Sequence, residues 1–545
     1  MRRFTLSMLL AASLTASVQA QTAPVEDWLK TINATERVAD LYRTAPMAID
    51  NQGNAFVTGS YTKDLEFANS YLEPTATSAF VAKYNKNGEE QWAAGLQGAA
   101  TITATATDEA GNVYVAGVFA DVVKVLDAEG KASQTITGMA DRTDEVSAFI
   151  VKYDKDGKVL KVKTIIPETT LVDENYSNPD PSFSPKKLQV IGNRVFLAAS
   201  YTEDNKVDDL VLKGKYGYKA DWFYTFDVPT MGVICLSENL DDAMLVAQLA
   251  ATEKFTDVGY GAEDVNFTFD GNDVYVGFVA NGEDLTLTTV HGDKQIKDLY
   301  YEVTDDGVDV EHAWILASIG NAGTKTTIFH SQKAESLARY NTIDAMESYN
   351  GKVFLAGTFN EAFPFDNSVS YQGSNDAYCV SLNADLTKNW AFTSNYDETA
   401  NTNAEVVTGL VFEPGAVMLG GKIEAASNGQ TIEGRSYSLS EATGSKEEEN
   451  DVLHETVAQN GGYTIIQSNN KDEDGATEGN YTFYYMNDIE TGIQTINTDA
   501  KTADATTTIY NIGGEQVATG KAALNGLQKG IYVIKTGDKV TKVAK

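Results

Sequence analysis

Two segments of the chain, Asp154-Lys155-Asp156-Gly157 and Asp472-Glu473-Asp474-Gly475, begin the way an oxygen-ligand loop for calcium begins. Calcium wants about six to eight oxygens, so a loop of the EF-hand kind needs further ligands and a bidentate Glu in register. Neither segment completes that pattern. Asp154 stands where an earlier stretch of the same text has Asn85-Lys86-Asn87-Gly88, so a hairpin turn is the reading expected for Asp154 and Asp156. Asp472 and Asp474 are held with them as weak metal candidates, calcium being the one ion in question and no other cofactor being expected. His291, His312, His330 and His454 form no H-E-x-x-H pair, and each is expected as a surface or packed imidazole. Cys235 and Cys379 lie in corresponding apolar runs two repeat units apart, too far for a bridge, and are expected as buried free thiols. Carboxylate pairs such as Asp208-Asp209, Asp241-Asp242 and Asp305-Asp306 invite a glycosidase reading, but among 77 acids such pairs arise by chance. No nucleophile elbow, phosphate loop or dinucleotide fingerprint is present, and no catalytic residue is assigned.

More promising are aromatic residues on long insertions. The stretches 167–185, 213–229 and 291–311 separate repeated blocks and are rich in Tyr, Trp and Asp. Binding residues concentrate on loops held by a rigid scaffold. Tyr216, Tyr218, Trp222, Tyr224, Tyr300 and Tyr301 are therefore the candidates for a ligand or partner face, with packing between structural units as the competing role.

Such loops need a scaffold, and the sequence spells one out seven times. A turn with glycine followed by an apolar β-run recurs at Gly53, Gly111, Gly192, Gly271, Gly351, Gly415 and Gly461, spaced 46 to 81 residues apart. Turn dipeptides such as Gly-Asn and Asn-Gly between β-runs are hairpin signals. A second strand-turn-strand block follows at 78–94, 147–163, 231–248, 312–329 and 376–392, with degenerate copies at 435–440 and 481–486. Two hairpins per unit make four strands, and seven units in a circle make a β-propeller. The expected fold is all-β, with the propeller over 21–490.

The pairing of "D..GN.YV.G" with a later "DAFVAKY...G...W" resembles the SBBP family of bacterial β-propeller repeats, most completely over 351–392, where Phe363-Pro364-Phe365 also appears. The seventh unit shows only three strands. The segment Glu26-Asp27-Trp28-Leu29-Lys30-Thr31 resembles the fourth strands around Trp92 and Trp390 and is expected to pair with the seventh unit and close the ring.

The ends of the chain speak to destination. Residues 1–20 carry Arg2 and Arg3 before a short apolar core and end in Val18-Gln19-Ala20, the layout of a signal peptide cut between Ala20 and Gln21. No stretch is long enough for a transmembrane helix. A formal charge of −35 sets the chain against nucleic acid and anionic lipid. After a linker at 491–505, residues 506–545 turn basic and read as four short β-runs punctuated by Gly513-Gly514, Gly530 and Gly537-Asp538. The blocks "IYN..G..V", "L..L..GIYVI" and a terminal "K..K" resemble the C-terminal sorting domain of the type IX secretion system of Bacteroidetes, on Gly513, Gly514, Gly530, Tyr532 and Lys545. That resemblance implies a small β-sandwich-like sorting module, the secretion machinery as a partner, and a secreted or outer-membrane-surface destination. The functional expectation is a monomeric, non-catalytic binding scaffold for a protein or glycan ligand. The alternative is a secreted polysaccharide-acting enzyme with acids converging on the propeller channel.

Overall fold

The computed structural model describes residues 28–34, most of 46–487, and four strands between Thr507 and Ala544. The chain divides into two compact units, with the break between Met486 and Asn487.

The larger unit is a seven-bladed β-propeller, and the described residues are all strand, turn or irregular. Each blade is a four-stranded antiparallel sheet numbered here from the axis outward. Blade 1 is Met47–Ile49, Ala55–Tyr61, Ser78–Tyr84 and Glu90–Gln97. Blade 2 is Ala100–Thr107, Val113–Phe119, Ser147–Tyr153 and Val159–Ile165. Blade 3 is Phe183–Ile191, Arg194–Tyr201, Thr230–Ser237 and Met244–Ala251. Blade 4 is Ala262–Phe269, Val274–Asn281, His312–Gly320 and Gly323–His330. Blade 5 is Ala345–Tyr349, Lys352–Phe359, Asp376–Asn383 and Lys388–Thr393. Blade 6 is Asn403–Glu413, Ala416–Ala425, Ser436–Ser440 and Lys446–Asn450. Blade 7 takes Thr456–Asn460, Tyr463–Ser468 and Asn480–Asn487 from its own stretch of chain. Its outermost strand is Trp28–Asn33, antiparallel to Asn480–Asn487 with Trp28 opposite Tyr485. First strands of successive blades touch all the way round, and Met47–Ile49 contacts both Ala100–Thr107 and Thr456–Asn460.

The sequence pattern follows from this packing. Second and third strands are sandwiched between neighbouring blades on both faces and so read as nearly unbroken apolar runs. Ser78–Tyr84 and Ser147–Tyr153 are buried at every position. At the rim, Val159–Ile165 is mostly half-buried, with Leu160 and Lys161 exposed. The recurring glycines sit at the turn between first and second strands, and all seven have positive φ, from 57° at Gly192 to 101° at Gly271. L-residues pay for that conformation and glycine does not.

The smaller unit is one antiparallel sheet in the order Gln516–Thr519, Thr507–Asn511, Ile531–Thr536, Lys539–Ala544. The described residues there form a single layer.

Candidate functional site

Strand direction sorts every connection in the ring onto one of two faces. Adjacent strands are antiparallel, so first-to-second and third-to-fourth turns emerge on one side, and second-to-third loops and blade-to-blade links emerge on the other. The first side carries the tight glycine turns. The second carries the long insertions whose strands are described.

The turn side holds the Asp154 segment. Asp154 Oδ1 accepts the backbone N–H groups of Asp156 and Lys158, each at 2.9 Å. Asn85 Oδ1 does the same for Asn87 and Glu89 at 2.9 and 3.0 Å. A neutral amide thus serves the same turn, and the local role of Asp154 is that of a turn acceptor. The Asp156 carboxylate lies 2.6 Å from Lys155 Nζ. Asp472 and Asp474 lie outside the described residues. Cys235 and Cys379 are both buried free thiols on third strands, and burial pushes both thiols up.

The loop side gathers the aromatic insertions onto two adjacent blades. In blade 3, the hairpin Gly217–Ala220 and Tyr224–Phe226 joins Phe255–Thr256, part of the link toward blade 4, in a three-stranded accessory sheet. In blade 4, Tyr301–Thr304 and Gly307–Val310 join Ala334–Glu335 from the link toward blade 5. Tyr218, Tyr224 and Tyr301 are thereby placed on accessory strands of neighbouring blades. Tyr216, Trp222 and Tyr300 lie outside the described residues, as do Ala20, Gln21, Gly513, Gly514, Gly530 and Lys545. Tyr532 sits on the third strand of the C-terminal sheet in chain order.

The ring interior holds charged residues that no short motif announced. Asp264, on the first strand of blade 4, receives Lys186 Nζ from blade 3 at 2.7 Å and the Ile343 N–H at 2.9 Å, and its Oδ1 also accepts the Val265 N–H at 2.8 Å. Asn266 Nδ2 donates to the Ile343 and Asp344 carbonyls at 2.9 and 3.1 Å. Lys187 crosses the Phe267 ring at 5.5 Å and reaches blade 5, donating to Met346 O at 2.7 Å and Glu347 Oε1 at 2.9 Å. A β-bulge between Pro185 and Lys187 and another between Ala262 and Asp264 re-aim these side chains. Asp344 is exposed at the entrance to the first strand of blade 5, beside Asp264. Burial first, and then the Asp264 charge, push its carboxyl up to about 7 against the hydrogen bond from Thr342 and the charge of Lys186.

Between blades 5 and 6, Glu405 is 2% exposed and its carboxylate accepts from the Ala377 N–H at 2.9 Å, from Tyr437 Oη at 2.5 Å and from the Ser394 hydroxyl. Burial raises its carboxyl pKa despite those bonds. The oxygens of Asp264 and Glu405 are thus engaged in joining blades. The one sequence signal that could have flagged these residues was a charged side chain placed in an otherwise alternating inner strand.

No family model matches the chain. Over 129 residues it is 30% identical to an uncharacterized WD repeat-containing protein of Acanthamoeba polyphaga mimivirus, a match that spans 21% of this chain and 9% of that protein. Among solved structures, the chain is similar to the GH93 α-L-arabinofuranosidase of Fusarium graminearum at 9% identity, covering 76% of this chain and 98% of that one, with a TM-score of 0.35. It is also similar to the endosialidase of phage phi92 at 8% identity, covering 90% and 74%, with a TM-score of 0.33.

Proposed function

We propose that this chain is an exported, non-catalytic binding scaffold that engages a protein or glycan partner through the loop face of blades 3 and 4. The observation carrying this reading is the pair of accessory sheets, which put two aromatic-rich insertions on one face of adjacent blades. Local structure of that kind is what a rigid scaffold needs to present a recognition surface. The Trp28–Asn33 strand acts as the clasp of the ring, a role supported by its register against Asn480–Asn487. The basic segment 506–545 acts as the export address, on the strength of its sequence blocks, with segment 1–20 as the signal peptide.

A screen of purified protein against glycans and extracellular matrix proteins tests the binding reading when repeated with the hairpins 217–226 and 301–310 each replaced by a short turn. Binding should vanish while the melting temperature holds. Undiminished binding by both shortened chains would move the site elsewhere. Export is tested by deleting 496–545, which should leave a folded propeller in the periplasm; normal amounts outside the cell would refute the address.

A second reading, hydrolysis of polysaccharide at the channel, draws on the neighbouring carboxyls of Asp264 and Asp344. One carboxyl retaining its proton near neutral pH beside an ion-paired one is an arrangement that acid–base chemistry uses. The commitment of Asp264 to Lys186 and two backbone amides weighs against it. Recording hydrolysis in the same glycan screen, with Asp344→Asn as control, decides between them.

A further inference from the structure

Two blades carry an added strand on their outer edge, and in both the following blade supplies it. Val122–Leu126, inserted between the second and third strands of blade 2, pairs with the outer strand of blade 1 at Gln97 and Leu96. Leu285–Thr289, in the same position of blade 4, pairs with the outer strand of blade 3 along residues 247–251. Sheet edges expose unpaired N–H and C=O groups, and these hairpins satisfy them.

Among the described residues, blade 7 repeats the arrangement without that strand, and its outermost strand, Trp28–Asn33, ends the sheet. The insertion of blade 1 beside it is only the short pair Leu65–Glu66 and Tyr71–Leu72, which bond to each other and to no strand of blade 7. Between Lys30–Ile32 on one wall and residues 64–68 on the other lies an open cleft of about 830 Å³, bounded also by Tyr84 and residues 87–91. Ile32, Leu65 and Tyr84 give it a buried apolar base. Among the described lining residues, Asp64, Glu66, Glu89 and Glu90 stand against one cation, Lys30, with Asp64 accepting from Tyr71 Oη, Glu89 from Asn85 Nδ2 and Glu90 from the Ala68 N–H.

We propose that this cleft receives an extended basic segment of a partner protein, added as a fifth strand beside Trp28–Asn33. Backbone pairing would supply the affinity, as in other strand additions. Alternating apolar and basic side chains would suit the apolar base and acidic rim. The blade 1 and blade 3 hairpins show that this fold accepts a strand at that edge.

The probe is a fluorescein-labelled heptapeptide of alternating lysine and valine, titrated against the full chain at physiological salt and read by fluorescence anisotropy. Saturable binding is expected, weakened about tenfold by Glu66→Lys, a change at an exposed rim position. Methylating alternate peptide nitrogens should abolish binding, and hydrogen exchange should show new protection at the alternate amides of Trp28–Asn33 that face away from Asn480–Asn487. Equal binding by the methylated peptide would reduce the effect to adsorption on an acidic protein and overturn the proposal. Unchanged affinity in the Glu66→Lys chain, or protection appearing only elsewhere, would overturn it as well.

Discussion

The joints between blades 1 and 2 and between blades 5 and 6 are built alike, and the joint between blades 7 and 1 departs from them in one respect. In the first two, a tryptophan on the outer strand packs against a turn glycine of the next blade and donates its indole N–H to a carbonyl there. Trp92 meets Gly157 and donates to Lys155 O at 3.0 Å, and Trp390 meets Gly444 and donates to Glu441 O at 2.8 Å. Trp28 meets Gly88 in the same way, but its buried Nε1 has no acceptor among the described residues. It stacks instead on Tyr485, with ring centroids 4.9 Å apart and planes 6° from parallel, and Tyr485 Oη donates to Gly53 O at 2.7 Å. Where the two ends of the propeller chain meet, the tryptophan itself contributes stacking and apolar contact, and the directional bonds come from its neighbours, among them Tyr485 to Gly53 O, the Ser60 N–H to Tyr481 Oη at 2.9 Å and Asn460 Nδ2 to Ile49 O at 2.8 Å. Non-directional burial tolerates small misalignment better than a hydrogen bond does.

Trp28→Ala should break this comparison most severely, costing about 3 to 5 kcal/mol in a denaturant titration. Hydrogen exchange should rise in blades 7 and 1 together; loosening confined to blade 7 would sever the link between strand and ring. Next in size, Gly88→Ala forces a residue with φ of 75° to carry a Cβ that would lie 2.7 Å from Trp28 Cγ. A loss of about 1 to 2 kcal/mol or more is expected from the conformation alone, and Gly157→Ala, 2.7 Å from the Trp92 ring, should match it. The sharper comparison is Trp→Phe at both sites. Trp92→Phe should cost about 1 kcal/mol more than Trp28→Phe, because only Trp92 forfeits an indole hydrogen bond. Equal costs would mean the two joints are energetically alike.

The smallest expected effect is a pH response at a third joint, between blades 4 and 5. The Asp344 carboxyl rises from 3.8 to about 7 in the folded chain. The folded state therefore keeps a proton that the unfolded state releases, so stability contributed at low pH is lost as pH climbs from about 4 to about 7 and levels off above. Access to water keeps the effect modest. Urea midpoints across that range should slope downward, and Asp344→Asn should flatten the slope.

Architecture was legible because propeller blades write a periodic signal: the turn glycines fix φ, and the doubly covered strands must be apolar. The residues around Trp28 echo those around Trp92 and Trp390, which is the sequence signal for an outer strand at that place. Single residues of the interior were not legible. Asp264, Asp344 and Lys186 come from three blades, and their meeting depends on bulges that shift a strand by one residue. The aromatic insertions were recognisable as insertions, but their shared face follows only from strand direction. An Asx turn and a metal loop draw on the same residue types, and at Asp154 it is the backbone amides of Asp156 and Lys158 that reveal the turn expected from the text of its counterpart at Asn85.

The register of the outermost strand of blade 7 has a mechanical consequence. Trp28 lies opposite Tyr485, so the chain enters and leaves that blade at the same end of one antiparallel pair. Tension applied between the two ends would load the bonds of that pair one after another, as a zipper opens, rather than all at once in shear. The propeller should therefore yield at low force from blade 7 when drawn out by its ends, while the same force applied across blades 2 and 5 would meet a ring whose strands share the load.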